Sequence, residues 1–252
     1  MNILDKEQIK LIKICGHKLA KTLSAVVLKV VPGADLGELD ALAYNLLIKE
    51  GCKPSFKDYH VEGIGDYPTT LCVSVNDEIV HGIPVSGQKI KSGDVVSIDI
   101  GAEYEGIYTD MATTVAVGKI SNDAKHLISG TKKSLEIGIK HALAGKHIGD
   151  IGANIEDFAK SNDFGIIRDY VGHGIGTKPH LPPQIPNFGL AGSGAEIVEG
   201  MALAIEPMLT LGGEKTVVAE DGWTVKTQDG SLAAHFEHTV VIENSKPTIV
   251  TL

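Results

Sequence analysis

Apolar positions recur at helical spacing twice near the start of the chain. From Lys6 to about Val30 they fall at Ile9, Ile12, Leu19, Leu23 and Val27, and Pro32-Gly33 then ends the run, which predicts an amphipathic helix. Asp35-Leu-Gly-Glu38 has the form of a capping box and opens a second helix that reaches Glu50, with Gly51 at its C-terminal end. From Thr70 to Gly118 the period changes to two and β-branched residues dominate. Leu71–Val75, Val95–Ile100 and Ile107–Val117 therefore read as antiparallel strands, joined by turns such as Tyr104-Glu105-Gly106.

The order then begins again. Asp123–Ala144, stopped by Gly145, and Ile151–Ser161 read as helices, and strands are expected at 165–170, 202–210, 223–227 and 235–243. Two passes of helix, helix and strands predict a pseudo-symmetric α+β fold in which helices cover one face of a sheet. No low-complexity linker divides the chain, so residues 1–252 are expected to form a single domain. Between Lys178 and Gly200 proline and glycine are too frequent for a central strand. That stretch reads as a long loop, either functional or a plain surface excursion.

Composition narrows the setting. The 252 residues carry 43% hydrophobic and 22% charged side chains, ordinary values for a folded protein. A net charge of −9, spread along the chain, argues against a broad nucleic-acid footprint. Three cysteines (Cys15, Cys52, Cys72) without paired spacing argue against a disulfide framework and for a reducing compartment. The N-terminal segment interleaves charged and apolar residues and has no signal-peptide core, and every apolar run is too short to span a bilayer. The expectation is a cytoplasmic protein with no membrane partner.

Charges set into apolar strands change the picture further. Asp99 interrupts Ser97-Ile-Asp-Ile-Gly101, and Asp110 lies in the next strand, where antiparallel pairing could bring both onto one face. A buried, unpaired aspartate is costly, so each needs a partner. In isolation the stronger reading of the pair is structural, as two hydrogen-bonded or edge-exposed aspartates. His173 lies in Gly172-His-Gly-Ile-Gly176, which lacks the spacing and the following helix of a phosphate-cradling loop. Glu206 interrupts Met201-Ala-Leu-Ala-Ile-Glu-Pro-Met208, and Glu237 lies in His235-Phe-Glu-His-Thr239. If these residues meet, four carboxylates carry about −4, which two divalent cations would neutralise without large pKa shifts. An oxygen-rich set with a single imidazole suits Mn²⁺, Fe²⁺, Co²⁺ or Zn²⁺. Paired metals of this kind activate water for hydrolysis.

Six stretches in order resemble the type I methionine aminopeptidases of the pita-bread fold. They are Cys72-Val-Ser-Val-Asn-Asp-Glu-Ile-Val-His-Gly-Ile-Pro84, Asp94-Val-Val-Ser-Ile-Asp-Ile-Gly101, Gly172-His-Gly-Ile-Gly176, Ala204-Ile-Glu-Pro-Met208, Asp221-Gly-Trp-Thr-Val-Lys-Thr227 and Phe236-Glu-His-Thr239. The resemblance implies dinuclear-metal hydrolysis that frees N-terminal methionine from nascent chains, in a monomer that touches the ribosome transiently. It implies that Asp99 chelates one metal, that Asp110 and Glu237 bridge both, and that His173 and Glu206 complete the second. Glu206 would also shuttle a proton. His81 would meet the scissile amide nitrogen and His180 the carbonyl oxygen. Phe56, Tyr59, Tyr67, Cys72 and Trp223 would line the methionine pocket, although such residues read by default as core packing.

Three departures from the family pattern fall around that pocket. Val61–Asp66 lengthen the segment between Tyr59 and Tyr67, Pro179 precedes His180, and Leu181-Pro182-Pro183 follows it. Related pita-bread enzymes that cleave at Xaa-Pro usually carry a large N-terminal domain, which a chain opening with these helices lacks. A binding protein of the same fold without catalysis should show a broken ligand set, and this set is whole.

Overall fold

A computed structural model describes residues 3–252, so the reading of Met1 and Asn2 lies outside the described residues. Among these residues four helices form: α1 (Lys6–Val27), α2 (Leu36–Lys49), α3 (Asn122–His141) and α4 (Ile148–Ser161). Asp5 caps α1 in a full capping box with Gln8. The box expected at α2 forms only in half. Asp35 accepts from the Gly37 and Glu38 amides at 3.0 and 3.3 Å, but its backbone bridges to Lys89 and Glu38 does not return a bond. Among the described residues no helix is long and apolar enough to cross a membrane.

The main sheet has nine strands: β1 (Lys53–Pro54), β2 (Leu71–Val75), β3 (Val95–Tyr104), β4 (Ile107–Ala116), β5 (Gly172–Gly174), β6 (Leu181–Ile185), β7 (Ala202–Ile205), β8 (Glu237–Glu243) and β9 (Lys246–Ile249). Their order is β1-β3-β4-β8-β7-β5-β6, with β2 also on β3 and β9 on β8. Every pairing is antiparallel. The strand β6 lies inside the stretch read as a loop. It is an edge strand, where Pro182 and Pro183 leave no central ladder broken.

Each half has its own core on the helical side. Leu19, Leu23 and Val26 of α1 meet Leu36 and Leu47 of α2 and Ile98 and Ile100 of β3. In the second half Leu135 and Ile139 of α3 and Ile151 and Ile155 of α4 pack with Leu203, Ile205 and Val240. The two passes predicted from periodicity are both present. Because strand side chains alternate between faces, burying Ile98 and Ile100 against the helices turns Asp99 to the opposite face.

Two expected strands are broken. The run 202–210 splits into β7 and Met208–Thr210, which belongs to a separate three-stranded sheet with Ala233–His235 and Gly165–Ile166. The run 235–243 splits between that sheet and β8, with Phe236 at the crossing. The two breaks lie side by side, since the Phe236 N–H donates to the Pro207 carbonyl at 3.4 Å. Glu206 and Glu237 stand at these junctions.

Candidate metal centre and the cavity above it

Hydrogen-bond register gathers the acidic groups. Asp99 pairs with Ala112 and Gly101 with Asp110, so the two aspartates are diagonal neighbours on one face of the β3–β4 hairpin. Glu237 pairs with Ala112 across β8, and Ala204 pairs with both Thr239 and His173. Thr239 Oγ1 accepts from the Asp110 N–H at 2.9 Å and donates to the Asp110 carbonyl at 2.8 Å, which ties β4 to β8 beside the site.

The glycines of the His173 motif serve close approach. A Cβ on Gly172 would stand 2.4 Å from the Ala204 carbonyl oxygen, and one on Gly174 would stand 2.5 Å from that of Pro182. Only glycine lets β5 sit this tightly between its neighbours.

The structure brings all five sequence-derived ligand candidates together. One ligating atom from each of Asp110, His173 and Glu237 lies within 4.8 Å of the others, and His173 Nε2 lies 3.5 Å from Glu206 Oε1. Asp99, Asp110, Glu206, Glu237 and His173 all face one cavity of about 350 Å³. Asp99, Asp110 and Glu237 are at most 9% exposed, and Asp99 Oδ1, Asp110 Oδ1 and Glu237 Oε1 have no hydrogen-bond partner among the described residues. Buried carboxylate oxygens left open in this way fit a cation as the missing partner.

Electrostatics agree with that fit. Burial pushes Asp110 up to about 7 against a hydrogen bond from Asp99. Burial, with the neighbouring carboxylates, raises Asp99, Glu206 and Glu237 well above the usual range. Burial also lowers His173 to about 3 and His81 to about 4, which keeps both imidazoles neutral and able to accept or ligate. Divalent cations would return the carboxylates to their charged form.

The remaining candidates line the same cavity: Phe56, Tyr59, Tyr67, Cys72, His81, His180 and Trp223. The Tyr67 hydroxyl donates to the Leu71 and Gly82 carbonyls, and its ring meets Trp223 edge-on at 5.1 Å. His180 Nδ1 is 3.1 Å from the Tyr59 hydroxyl, and its ring lies 4.4 Å from that of His173. His81 holds φ 58°, a left-handed backbone that non-glycine residues rarely adopt and that clusters at functional sites.

The added segment before Tyr67 is a hairpin. His60–Val61 pairs with Gly65–Asp66, and His60 Nδ1 contacts Asp66 Oδ1 at 2.6 Å. Two backbone hydrogen bonds, from the Asp58 N–H to the Tyr67 carbonyl and from the Tyr67 N–H to the Tyr59 carbonyl, extend the ribbon to its base and bring the two tyrosines together. Val61 faces the cavity. Ile64 at the tip lies beside Gly222, next to Trp223. Tyr170 and His235 escape the sequence reading, because they lie just outside the motif cores, whereas Val61 belongs to the departure read as falling around the pocket.

The sequence profile described as metallopeptidase family M24 matches residues 7–244. A protein of Clostridium perfringens named methionine aminopeptidase is 43% identical over 253 residues, covering 100% of this chain and 99% of its own length. The crystal structure of methionine aminopeptidase from Thermotoga maritima superposes with a TM-score of 0.96 at 42% identity, covering 100% of this chain and 99% of the other. Prolidase from Pyrococcus furiosus shares the fold, with a TM-score of 0.78 at 21% identity over 99% of this chain and 65% of its own.

Proposed function

The chain belongs to metallopeptidase family M24, and we propose that residues 1–252 act as one catalytic domain that removes N-terminal methionine using two divalent cations. Its fold is the α+β pita-bread fold of the methionine aminopeptidases and prolidases it resembles. Its activity is that of a metalloaminopeptidase, hydrolysis of the peptide bond after an N-terminal methionine. One observation carries the reading of the site: four carboxylates and an imidazole converge beneath an aromatic cavity, with buried oxygens that no protein group satisfies.

Asp99 would hold one cation, Asp110 and Glu237 would bridge the pair, and His173 and Glu206 would complete the second. The donor set suits Mn²⁺, Fe²⁺, Co²⁺ or Zn²⁺. Bound there, the cations would polarise the scissile carbonyl and make water nucleophilic near neutral pH. Glu206 would take the proton of the attacking water and deliver it to the leaving amine. His180, oriented through Nδ1 by Tyr59, would direct Nε2 to the carbonyl oxygen and stabilise the charge that develops there. His81 would hold the scissile nitrogen. Phe56, Tyr59, Tyr67, Cys72 and Trp223 would enclose the methionine thioether, an unbranched and polarizable group suited to aromatic walls.

Nascent chains as substrate would place this work in the cytoplasm, in a monomer that meets the ribosome transiently. The net charge of −9 supports that contact being local and free of sequence-specific nucleic-acid binding. Release of methionine from Met-Ala-Ser, compared with cleavage of Xaa-Pro peptides, tests the function. Metal-dependent turnover of the first substrate is expected. Absence of turnover with Mn²⁺, Fe²⁺ and Co²⁺ would sink the proposal, and preference for Xaa-Pro would move the chain to the prolidase side of the fold.

A further inference from the structure

His235 is a buried imidazole without a task in the reaction as described. It ends the strand Ala233–His235, is 1% exposed, and neither ring nitrogen has a hydrogen-bond partner among the described residues. A neutral imidazole carries a proton on one nitrogen and a lone pair on the other, so a buried ring with both unmatched is a state that folded proteins avoid. The backbone that carries the ring is fixed on both sides by one hydroxyl. The His235 N–H donates to Thr114 Oγ1 at 2.9 Å, and the same hydroxyl donates to the His235 carbonyl at 2.7 Å.

What the ring faces is Glu206. His235 Nε2 lies 3.5 Å from Glu206 Oε2, and His173 Nε2 lies 3.5 Å from Glu206 Oε1. The carboxylate is held between two imidazoles, one at each oxygen. We propose that His235 is a positioning residue for Glu206: its Nε2–H donates to Oε2 and fixes the plane of the carboxylate, leaving Oε1 to the metal centre. A small turn of the carboxylate brings the pair into hydrogen-bond range of about 3 Å. Ligating carboxylates depend on such outer partners for their orientation. The inference rests on the reading of Glu206 as a ligand.

Two near-isosteric variants of the full chain test it. His235→Leu fills the space without a donor, whereas His235→Gln returns an N–H within reach of the same oxygen. Calorimetric titration with Mn²⁺ should show the weaker-bound ion losing about 10–100-fold in affinity in His235→Leu, with kcat falling and KM little changed. His235→Gln should stay within about threefold of the parent. Nitrogen couplings in the pulsed electron paramagnetic resonance of the Mn²⁺-loaded parent should count one coordinated imidazole. Two couplings, one of them lost in His235→Gln, would make His235 a ligand and overturn the proposal. Unchanged metal affinity and kcat in His235→Leu would also overturn it, leaving a packing role. The spectrum of the parent requires no variant to fold, and metal-free melting curves separate loss of the site from loss of the fold. Undiminished Mn²⁺ binding in Glu206→Gln would instead refute the ligand reading beneath it.

Discussion

At the scale of single residues, the ligands and the two outer histidines should fail differently. Glu237→Ala or Asp110→Ala removes a group assigned to both cations, so turnover should fall by about three orders of magnitude or more and bound metal should drop with it. Elemental analysis alongside kcat checks this, and near-normal metal content in either variant would refute bridging. His180→Ala should behave otherwise, lowering kcat about 10²–10³-fold, as loss of an oxyanion donor does, while metal content stays at the parental level. The four carboxylate candidates were legible because each placed a charge where the local pattern demanded an apolar side chain, and His173 was legible through its glycine motif. His235 was not. A histidine at the end of an apolar strand carries no such contradiction, and only its distance to Glu206 and its unmatched nitrogens mark it.

Among elements, the hairpin over residues 60–66 brings Val61 to the cavity wall. Val61→Ala should enlarge the cavity near the methionine side chain and raise kcat/KM for bulkier N-terminal residues relative to methionine by about tenfold, the effect expected of a changed methylene contact. Peptides beginning with methionine, leucine and phenylalanine measure the ratio, and an unchanged ratio with unchanged metal content would remove Val61 from the specificity wall. Backbone closeness is testable in β5. Gly174→Ala introduces a Cβ 2.5 Å from a backbone oxygen, so the strand must shift, at a cost of about 1–3 kcal/mol in chemical denaturation. The helices and the β3–β4 hairpin were readable from period alone, because each buries one face against a continuous core. The breaks at Glu206 and Phe236 were hidden. Apolar residues run on through 202–210 on both sides of the crossing, and the switch from one sheet to another is decided by contacts distant in sequence. The ribbon at 60–66 was visible only as added length, since its pairing depends on Tyr59 and Tyr67 at its base.

Taken whole, the molecule places two cores on one side of a shared sheet and an open cluster of carboxylates on the other. That arrangement makes stability depend on pH and metal together. Carboxylates raised by burial bind extra protons in the folded state, so their contribution is present in acid and is lost as pH rises, through about 7 for Asp110 and higher for Asp99, Glu206 and Glu237. The imidazoles act in the opposite sense. His81 and His238, lowered from 6.5 to about 4, His173 and His235, lowered from 6.5 to about 3, and His180, also lowered by burial, add stability as pH rises, and that gain is complete about one unit above 6.5. Between about pH 7.5 and 8.5 the imidazoles are neutral in both states and the raised carboxylates dominate the change, so metal-free protein should melt at progressively lower temperature. Saturating Mn²⁺ should cancel the trend, because the ligands bind it deprotonated. Melting curves with chelator and with Mn²⁺ across that interval decide it, and a metal-free melting temperature that holds or climbs would contradict the raised carboxylates.

The hairpin has one more consequence, for inhibition. A compound that grips only the proposed metal centre would meet five side chains of ordinary oxygen and nitrogen chemistry, and would have little there with which to tell one hydrolase from another. A compound extended past Trp223 toward Val61 and the exposed Ile64 would meet apolar surface supplied by the added ribbon. Selective chemistry against this chain should therefore be built from the ribbon inward, with the chelating group as its anchor and the contact at Val61 and Ile64 as its address.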